Sequence, residues 1–495
     1  MRRVGNSASK RRMQTSLRAL HLACVTTLAL GCNTPVAQLD GGADAPVDAS
    51  ADTIEVPDAY TRCVAPSVVV AGTPETDLIA NAPPACGSTP HTWLRSETLG
   101  SVVSRRGGSR YTAAGLQGLA DAASITLPSA PEHDVRAEFV VYETQDRGRR
   151  VESTAYVVYP TDMTGDVPVA LLLHGTSGLR AGCGPTSEFE TQVLAAVFAS
   201  FGWVAVAPDF LGLESAGEPY GDLHPYLVGE ATAIASLDAA RAAIRTFGAS
   251  TPGGACASNE VVLFGASQGG HALLWVDRLA PYYARELNLL GGVASVPSAD
   301  LTAQMQRSVE STVPATTNFA AALAGQAHWY GQEAVLNSVL RAPFNTSVPE
   351  GLAMACNIAN PTRDATVETL YTEAFRTQVT AEGVGAVDSV GCWFREASLT
   401  ATSIPRITPA SPSYGLLFIA GSEDDLIHPP IERAAYDALC ASTPLAYLEC
   451  EGAGHVDTTF WSVPEILGFM AARRSRTPFT RVCTRPAAQR CMGTP

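Results

Sequence analysis

The hexapeptide Gly-Ala-Ser-Gln-Gly-Gly at residues 265–270 is the most informative stretch of this chain. It follows a largely apolar run at 260–264 and precedes an apolar helical stretch at 272–279. A G-x-S-x-G pattern between a strand and a helix predicts a strained turn, because only small residues beside the serine fit there. The pattern therefore predicts that Ser267 is a nucleophile exposed at the C-terminal edge of a sheet. The backbone N–H of Gln268 is expected to face the oxyanion that forms there.

Short runs on both sides of this turn predict further strands. Apolar runs bounded by turn-forming residues lie at 167–173, 203–207 and 415–420, and β-rich runs at 137–143 and 153–159 flank an Asp-Arg-Gly turn typical of a hairpin. Continuous apolar runs of this length are typical of parallel strands that are covered on both faces. A stretch with helical spacing, residues 229–247, lies between two of these apolar runs. We therefore predict an α/β fold with a mostly parallel sheet flanked by helices.

The alternation of strands and helices stops between residues 300 and 403, where helical stretches such as 315–327 and 366–378 follow one another. A long insertion inside an α/β domain is typical of a cap over the site. We expect a core at 137–299 and 404–475, a helical cap at 300–403, an N-terminal extension at 61–136 and a C-terminal extension at 476–495.

Two side chains downstream of Ser267 complete a catalytic constellation. A serine nucleophile needs a base, and the base needs an orienting carboxylate. Asp424 follows the strand predicted at 415–420, and His455 ends the loop Glu-Gly-Ala-Gly-His before a helix. The order nucleophile, acid, histidine is that of the α/β-hydrolase fold. We predict that Asp424 orients His455 and that His455 takes the proton of Ser267.

Other polar residues offer alternatives. His428 is a competing base, although a histidine before a proline is more often a rim residue. His271 is expected to pack in the helix near the site, and His328 to be a satisfied polar residue of the cap. Glu423 and Asp425, the neighbours of the predicted acid, suggest a paired-carboxylate or calcium site, but no further oxygen ligands occur at recognisable spacing.

The turn after the strand at 167–173 is expected to supply a second oxyanion donor. It has the sequence His-Gly-Thr-Ser-Gly at 174–178. The backbone N–H of Thr176 is the predicted donor, with its hydroxyl as a helper. The alternative is that His174 and Gly175 form only a tight turn.

The charge of the chain excludes several classes of protein. A net charge of −15 disfavours binding to nucleic acid or to an anionic bilayer by charge attraction. The only lysine is Lys10, so the fold has no lysine for a P-loop, a Schiff base or a Ser-Lys dyad. Cysteines and histidines do not have zinc-site spacing. We expect no metal and no cofactor, and an ester of a small molecule or lipid as the ligand.

The N-terminus is predicted to be a signal peptide over residues 1–31. Basic residues precede the apolar run 19–31, which has the plan of a secretory signal and is too short to span a bilayer comfortably. The run ends before Cys32 in a sequence that resembles a bacterial lipobox, with Ala29 in the place where leucine is preferred. We expect acylation of Cys32, a disordered acidic tether at 32–60 and a cell-envelope lipoprotein, or otherwise a secreted protein. Membrane contact is expected only through this anchor.

Ten cysteines follow this segment, and an even number behind an export signal predicts disulfides. Buried free thiols are the alternative. The pairing does not follow from the sequence, although Cys440 with Cys450 and Cys483 with Cys491 are close enough to form local loops.

These segments together resemble the secretory lipase family of α/β-hydrolases. The resemblance rests on HGTSG at 174–178, APDFLGL at 207–213, HPYL at 224–227, DAAR at 238–241, GASQGGHA at 265–272, GSEDD at 421–425 and GAGH at 452–455. It covers roughly residues 137–475. It implies hydrolysis of ester bonds in lipids through an acyl-enzyme on Ser267, with a helical cap that shapes the acyl pocket and without a cofactor.

The sequence therefore predicts a serine carboxylic-ester hydrolase, either a lipase or a carboxylesterase. A serine peptidase or an acyltransferase with the same three residues is the enzymatic alternative. A non-catalytic envelope binding protein is the other, and the presence of all three residues disfavours it.

Overall fold

The computed structural model describes residues 67–70, 86–87, 91–247, 255–481 and 483–495. The predicted signal peptide, the predicted tether and Cys32 lie outside the described residues. Over these described ranges, no helix has the length and apolar character needed to cross a membrane.

Nine strands of the described residues form one sheet in the order β1-β2-β3-β5-β4-β6-β7-β8-β9. The strands are β1 Val102–Tyr111, β2 Val135–Asp146, β3 Arg149–Pro160, β4 Gly165–Leu173, β5 Val204–Pro208, β6 Ala255–Ala266, β7 Asn288–Ser295, β8 Gly415–Gly421 and β9 Leu445–Cys450. Strands β1 to β3 pair antiparallel with one another, and β3 pairs antiparallel with β5. The six strands from β5 to β9 in this order are parallel. The predicted mostly parallel sheet and the hairpin of β2 and β3 are thus confirmed.

Helices cover both faces of this sheet. They are α1 Ala113–Ala122, α2 Phe189–Ser200, α3 Gly229–Thr246, α4 Gln268–Tyr283, α12 Pro429–Cys440, α13 His455–Trp461 and α14 Val463–Arg474. One buried apolar cluster joins the sheet to α3, α4 and α12, and another joins its opposite face to α1, α2 and α14. The sheet is therefore the middle layer of three.

Three strands were not predicted. Strand β1 is polar and lies at the edge of the sheet, within the range expected to be an N-terminal extension, so the sheet begins upstream of residue 137. Strand β9 is the opposite edge. Strand β7 contains a glycine pair that lowers its strand propensity, yet Gly291 is needed there. A Cβ atom on Gly291 would lie 2.0 Å from the carbonyl oxygen of Gly415 in β8.

Seven helices, all within the described range 255–481, lie between β7 and β8. They are α5 Leu301–Glu310, α6 Ala315–Trp329, α7 Leu336–Val339, α8 Phe344–Met354, α9 Val367–Leu370, α10 Glu373–Glu382 and α11 Val390–Ala397. These helices, called the cap below, have an apolar cluster of their own. The helix expected over 366–378 is instead two helices. Tyr371 breaks it by forming a β-bridge with Leu340, and Thr372 accepts a hydrogen bond from the N–H of Phe375 to begin the second one.

Four disulfides join cysteines of the described residues, and the local pairs suggested by spacing are wrong. The bonds are Cys86–Cys392, Cys183–Cys356, Cys440–Cys483 and Cys450–Cys491. Cys440 ends α12 and Cys450 ends β9, so a strand roughly 17 Å long separates them. The C-terminal segment instead runs beside β9, where Gln489 pairs with Cys450, and thereby reaches both cysteines.

Candidate active site

Ser267 lies in the tight turn between β6 and α4. Its backbone has φ 57° and ψ −119°, a conformation that residues other than glycine rarely adopt. Two glycines make the turn possible, since a Cβ atom on Gly269 would lie 1.9 Å from the carbonyl oxygen of Leu173. A Cβ atom on Gly265 would lie 2.0 Å from the carbonyl oxygen of Gly269. The Ser267 N–H donates to the Ser295 carbonyl at 3.0 Å, which ties the turn to β7.

The structure brings the predicted acid and base to this serine. His455 begins α13, and its Nε2 lies 2.9 Å from Ser267 Oγ. Its Nδ1 lies 2.7 Å from Oδ2 of Asp424. Because a carboxylate can only accept, the proton of the neutral ring is on Nδ1 and the lone pair of Nε2 faces the serine hydroxyl. This arrangement allows His455 to take the serine proton.

Asp424 is held by the turn that follows β8. Its Oδ1 accepts from the backbone N–H groups of Leu426 at 3.0 Å and Ile427 at 2.8 Å, which leaves Oδ2 for His455. Arg307 of the cap donates to the carbonyl oxygens of Asp425 at 3.0 Å and Leu426 at 3.3 Å. The orientation of the acid therefore depends on its own turn and on the cap.

The competing residues have other environments. Asp424 is buried, whereas its neighbours Glu423 and Asp425 are exposed. His428 is the N-cap residue of α12, and burial with two nearby arginines lowers its pKa. His271 is buried in α4, with Nε2 2.9 Å from the carbonyl oxygen of Ala397 in the cap. The two ring nitrogens of His328 lie 3.1 Å from carboxylate oxygens of Asp222 and Glu333. Of these histidines and His455, the contact with Ser267 is made by His455.

The predicted oxyanion residues lie on two sides of Ser267. Gln268 is the first residue of α4, where a backbone N–H has no acceptor within the helix. The turn 174–178 lies beside the serine, because a Cβ atom on Gly175 would be 3.8 Å from Ser267 Cβ. The side chains of both residues have further partners. Thr176 Oγ1 lies 2.8 Å from Tyr226 Oη, and Gln268 Nε2 lies 2.7 Å from His224 Nε2.

His224 and Tyr226 were not assigned a role at the site from the sequence. The segment HPYL at 224–227 contributes only to the family resemblance, and its spacing relative to Ser267 carries no periodic signal. Its contacts with Thr176 and Gln268 arise only when two distant loops meet.

A buried carboxyl group near the acid predicts a pH dependence of stability. Glu432 of α12 accepts from Gln304 Nε2 at 3.1 Å and from the Ala299 N–H at 3.3 Å, and burial raises its pKa to about 8. This pKa is above the value of about 4.3 that a glutamate has in the unfolded chain. Between these two pH values the folded state therefore binds more protons than the unfolded state. The free energy of unfolding should fall as pH rises through this window, by up to about 1.4 kcal/mol per pH unit.

Glu432→Gln removes this titration. We expect the variant to gain stability relative to the wild type as pH rises from 5 to 8, measured by denaturant unfolding at each pH. Glu423→Gln, at the exposed neighbour of Asp424, is the control and should keep the wild-type pH profile. A constant stability difference between Glu432→Gln and wild type over this range would contradict the prediction.

Comparison with known proteins agrees with this fold. The family model described as secretory lipase matches residues 184–481. The rice cell wall degrading esterase LipA from Xanthomonas oryzae is similar in structure, with a TM-score of 0.61 and 18% identity over 76% of this chain and 97% of that one. A putative hydrolase from Legionella pneumophila has a TM-score of 0.60 and 16% identity, over 77% of this chain and 100% of that one. Candida antarctica lipase A has a TM-score of 0.58 and 15% identity, over 86% of this chain and 92% of that one.

No curated protein matches the chain in sequence. At identities of 15% to 18% the structural likenesses establish the α/β-hydrolase fold. The family model supplies more, because it matches more than half of the chain and includes the nucleophile turn. The chain belongs to the secretory lipase family and is a carboxylic-ester hydrolase.

Proposed function

We propose that this protein hydrolyses carboxylic esters through an acyl-enzyme on Ser267, with His455 as the base and Asp424 as the orienting acid. The observation that carries the proposal is the unbroken chain of contacts from Asp424 Oδ2 to His455 Nδ1 and from His455 Nε2 to Ser267 Oγ, at 2.7 Å and 2.9 Å. A serine hydroxyl is a weak nucleophile by itself, and a base at hydrogen-bond distance activates it.

The reaction has two halves that use the same residues. Ser267 Oγ attacks the ester carbonyl while its proton moves to His455 Nε2. The tetrahedral intermediate then collapses, the C–O bond to the alcohol breaks, and the alcohol leaves with that proton. A water molecule next gives a proton to His455 and attacks the acyl-enzyme, which releases the acid and restores the serine hydroxyl. Asp424 stabilises the imidazolium ion in both halves.

The negative charge on the carbonyl oxygen needs donors in fixed positions. We assign this role to the backbone N–H groups of Gln268 and Thr176, because the first begins α4 and the second directly follows Gly175, which lies beside Ser267. Removing one such donor typically lowers the rate about 10²- to 10³-fold.

We assign the substrate to the class of lipid esters or esters of similar apolar acyl compounds. This assignment rests on the secretory lipase family and on the likeness to a lipase and to a cell wall degrading esterase. The cap lies between β7 and β8, and it contacts the turn of the catalytic acid through Arg307. We propose that the cap forms the acyl-binding wall of the site.

Labelling by a fluorophosphonate probe tests the assignment of the nucleophile. We expect one molecule of probe per protein, attached to Ser267, and loss of hydrolysis of p-nitrophenyl esters in proportion to labelling. Ser267→Ala should not be labelled, whereas Ser236→Ala, at a buried serine of α3, should be labelled like the wild type. Labelled protein that kept its esterase activity would overturn the proposal. Cleavage of peptide anilides instead of esters would favour the peptidase alternative.

The disulfides and the family suggest an exported protein. We further propose that acylated Cys32 anchors it to the cell envelope, because the apolar run and the small residue before Cys32 have the plan of a lipobox. Mass spectrometry of the mature N-terminus tests this anchor. A mature chain that begins at a residue other than an acylated Cys32 would contradict it.

A further inference from the structure

One short segment, His224 to Leu227, touches both residues that are proposed to hold the oxyanion. His224 Nδ1 lies 2.7 Å from the carbonyl oxygen of Leu211. Burial lowers the pKa of His224 to about 4, so the ring is neutral at physiological pH and its single proton is on the nitrogen that faces this carbonyl. The other nitrogen, Nε2, must therefore accept. Its partner at 2.7 Å is the amide Nε2 of Gln268, the residue directly after the nucleophile.

A stack of rings holds His224 in place. The Phe210 ring stacks on His224 with centroids 5.9 Å apart and on His174 with centroids 4.0 Å apart. His174 is the first residue of the turn that carries Thr176. The stack therefore links the segment to the strand end on one side of Ser267, while Gln268 links it to the helix on the other side.

The second contact of the segment is the hydrogen bond between Tyr226 and Thr176. Its Oη lies 3.2 Å from Asn318 Nδ2 and 2.8 Å from Thr176 Oγ1. An amide nitrogen can only donate, so Tyr226 Oη accepts from Asn318. Thr176 Oγ1 is the other hydrogen-bond partner of Tyr226 Oη among the described residues, so the Tyr226 proton is assigned to this contact. In this assignment Thr176 Oγ1 accepts, and its own hydroxyl hydrogen is left for a different acceptor. Thr176 is half-buried and directly follows Gly175, the residue that lies beside Ser267.

Asn318 belongs to α6 of the cap, and this helix lies directly on the segment. A Cβ atom on Gly325 would be 2.9 Å from the carbonyl oxygen of His224 and 3.1 Å from the backbone nitrogen of Tyr226. Asn318 and Gly325 are two helical turns apart and therefore share one face of α6. The cap thus contacts the segment at two points.

We propose that His224 and Tyr226 are positioning residues of the oxyanion hole, and that Asn318 of the cap acts through Tyr226 to make the Thr176 hydroxyl a donor to the oxyanion. The proposal rests on the proposed function of Ser267, since it assigns the hydrogen-bond partners around the same reacting carbonyl. It predicts that a change in the cap weakens transition-state binding without a change in the triad.

Three substitutions test this chain of hydrogen bonds. Tyr226→Phe removes the hydroxyl alone. Asn318→Asp replaces the amide donor by an acceptor of the same shape, so the proton of Tyr226 turns to the new carboxylate and that of Thr176 turns to Tyr226. We expect each variant to lower kcat for p-nitrophenyl esters about 10- to 100-fold, with KM within about twofold of the wild type. Binding of a boronic acid transition-state analogue should weaken by the same factor. Tyr371→Phe is the matched control, because it removes a buried hydroxyl of the cap that has no hydrogen-bond partner in the described residues.

The third substitution, Thr176→Val, serves as a background for the other two. It distinguishes a positioning role of Tyr226 and Asn318 from general destabilisation. In this background Tyr226→Phe and Asn318→Asp should have no further effect on kcat, because the hydroxyl on which they act is gone. Wild-type kcat in Tyr226→Phe and Asn318→Asp would overturn the proposal, as would full additivity with Thr176→Val. In either case fluorophosphonate labelling of Ser267 would still stand, so this failure is distinct from failure of the proposed function.

His224 is tested by His224→Phe, which keeps a ring beside Phe210 and removes the acceptor for Gln268. We expect a loss of kcat of about 10-fold or more with an unchanged KM, in protein that is labelled at Ser267 to the wild-type extent. Wild-type kcat would remove His224 from the proposal. If the variant does not fold, Tyr226→Phe and Asn318→Asp carry the decision.

Discussion

Ser267→Ala is expected to lower kcat for ester hydrolysis about 10⁶-fold. The variant retains His455 and the oxyanion donors but has no atom that can form the acyl-enzyme. Asp424→Asn should lower kcat about 10⁴-fold, because its amide N–H would face His455 Nδ1 and move the ring proton to Nε2. A protonated Nε2 cannot accept the proton of the serine. Steady-state kinetics on p-nitrophenyl esters measure both effects.

Asp425→Asn is the matched control for Asp424→Asn, because it neutralises the next residue on the same turn, whose side chain is exposed. It should keep nearly the wild-type rate. A Ser267→Ala variant with more than about one hundredth of wild-type kcat would be incompatible with an acyl-enzyme on this residue. Equal losses in the two aspartate variants would remove Asp424 from the mechanism.

Removal of the Cys183–Cys356 disulfide is expected to cause a large loss of stability. Cys183 follows the turn that carries Thr176, and Cys356 belongs to the cap after α8, so the bond fastens the cap beside the site. It closes a loop with a sequence separation of 173. In the chain-entropy description such a loop contributes about 5 kcal/mol, because the crosslink restricts the unfolded chain. We expect Cys183→Ala with Cys356→Ala to lower the free energy of unfolding by nearly this amount in denaturant titrations.

The Cys440–Cys483 bond is the comparison, since its separation of 43 closes a shorter loop in the same protein. Cys440→Ala with Cys483→Ala should lose about 1 kcal/mol less. A greater loss for this pair than for the cap pair would show that native contacts, and not loop length, determine the order. Ester hydrolysis should fall more when Cys183 and Cys356 are replaced than when Cys440 and Cys483 are replaced. The reason is that Cys183 lies beside the turn 174–178, which carries Thr176.

The position of the nucleophile could be predicted because every requirement for it is local. Small residues at Gly265 and Gly269, an apolar run before them and a helical stretch after them all lie within twenty residues of Ser267. Asp424 and His455 followed from the order of residues and from the rule that parallel strands end at one edge. The distances of 2.7 Å and 2.9 Å between the three side chains agree with that expectation.

Other features depend on contacts between distant parts of the chain. Strand β7 was missed because its glycine pair disfavours a strand locally, while close approach to Gly415 of β8 requires it. The pairing of Cys440 and Cys450 was wrongly suggested because spacing along the chain ignores the length of β9 between them.

Local sequence patterns predict the α/β fold, the nucleophile turn and the residues that follow the strand ends, because apolar periodicity and glycine spacing act over short distances. Which residues surround those groups depends on contacts that form only in the folded protein. His224 meets Gln268 and Tyr226 meets Thr176 across 44 and 50 residues of sequence, and Asn318 reaches Tyr226 from the cap. Such contacts form when packed layers bring loops together, and hydrogen-bond direction then follows from which atoms can donate.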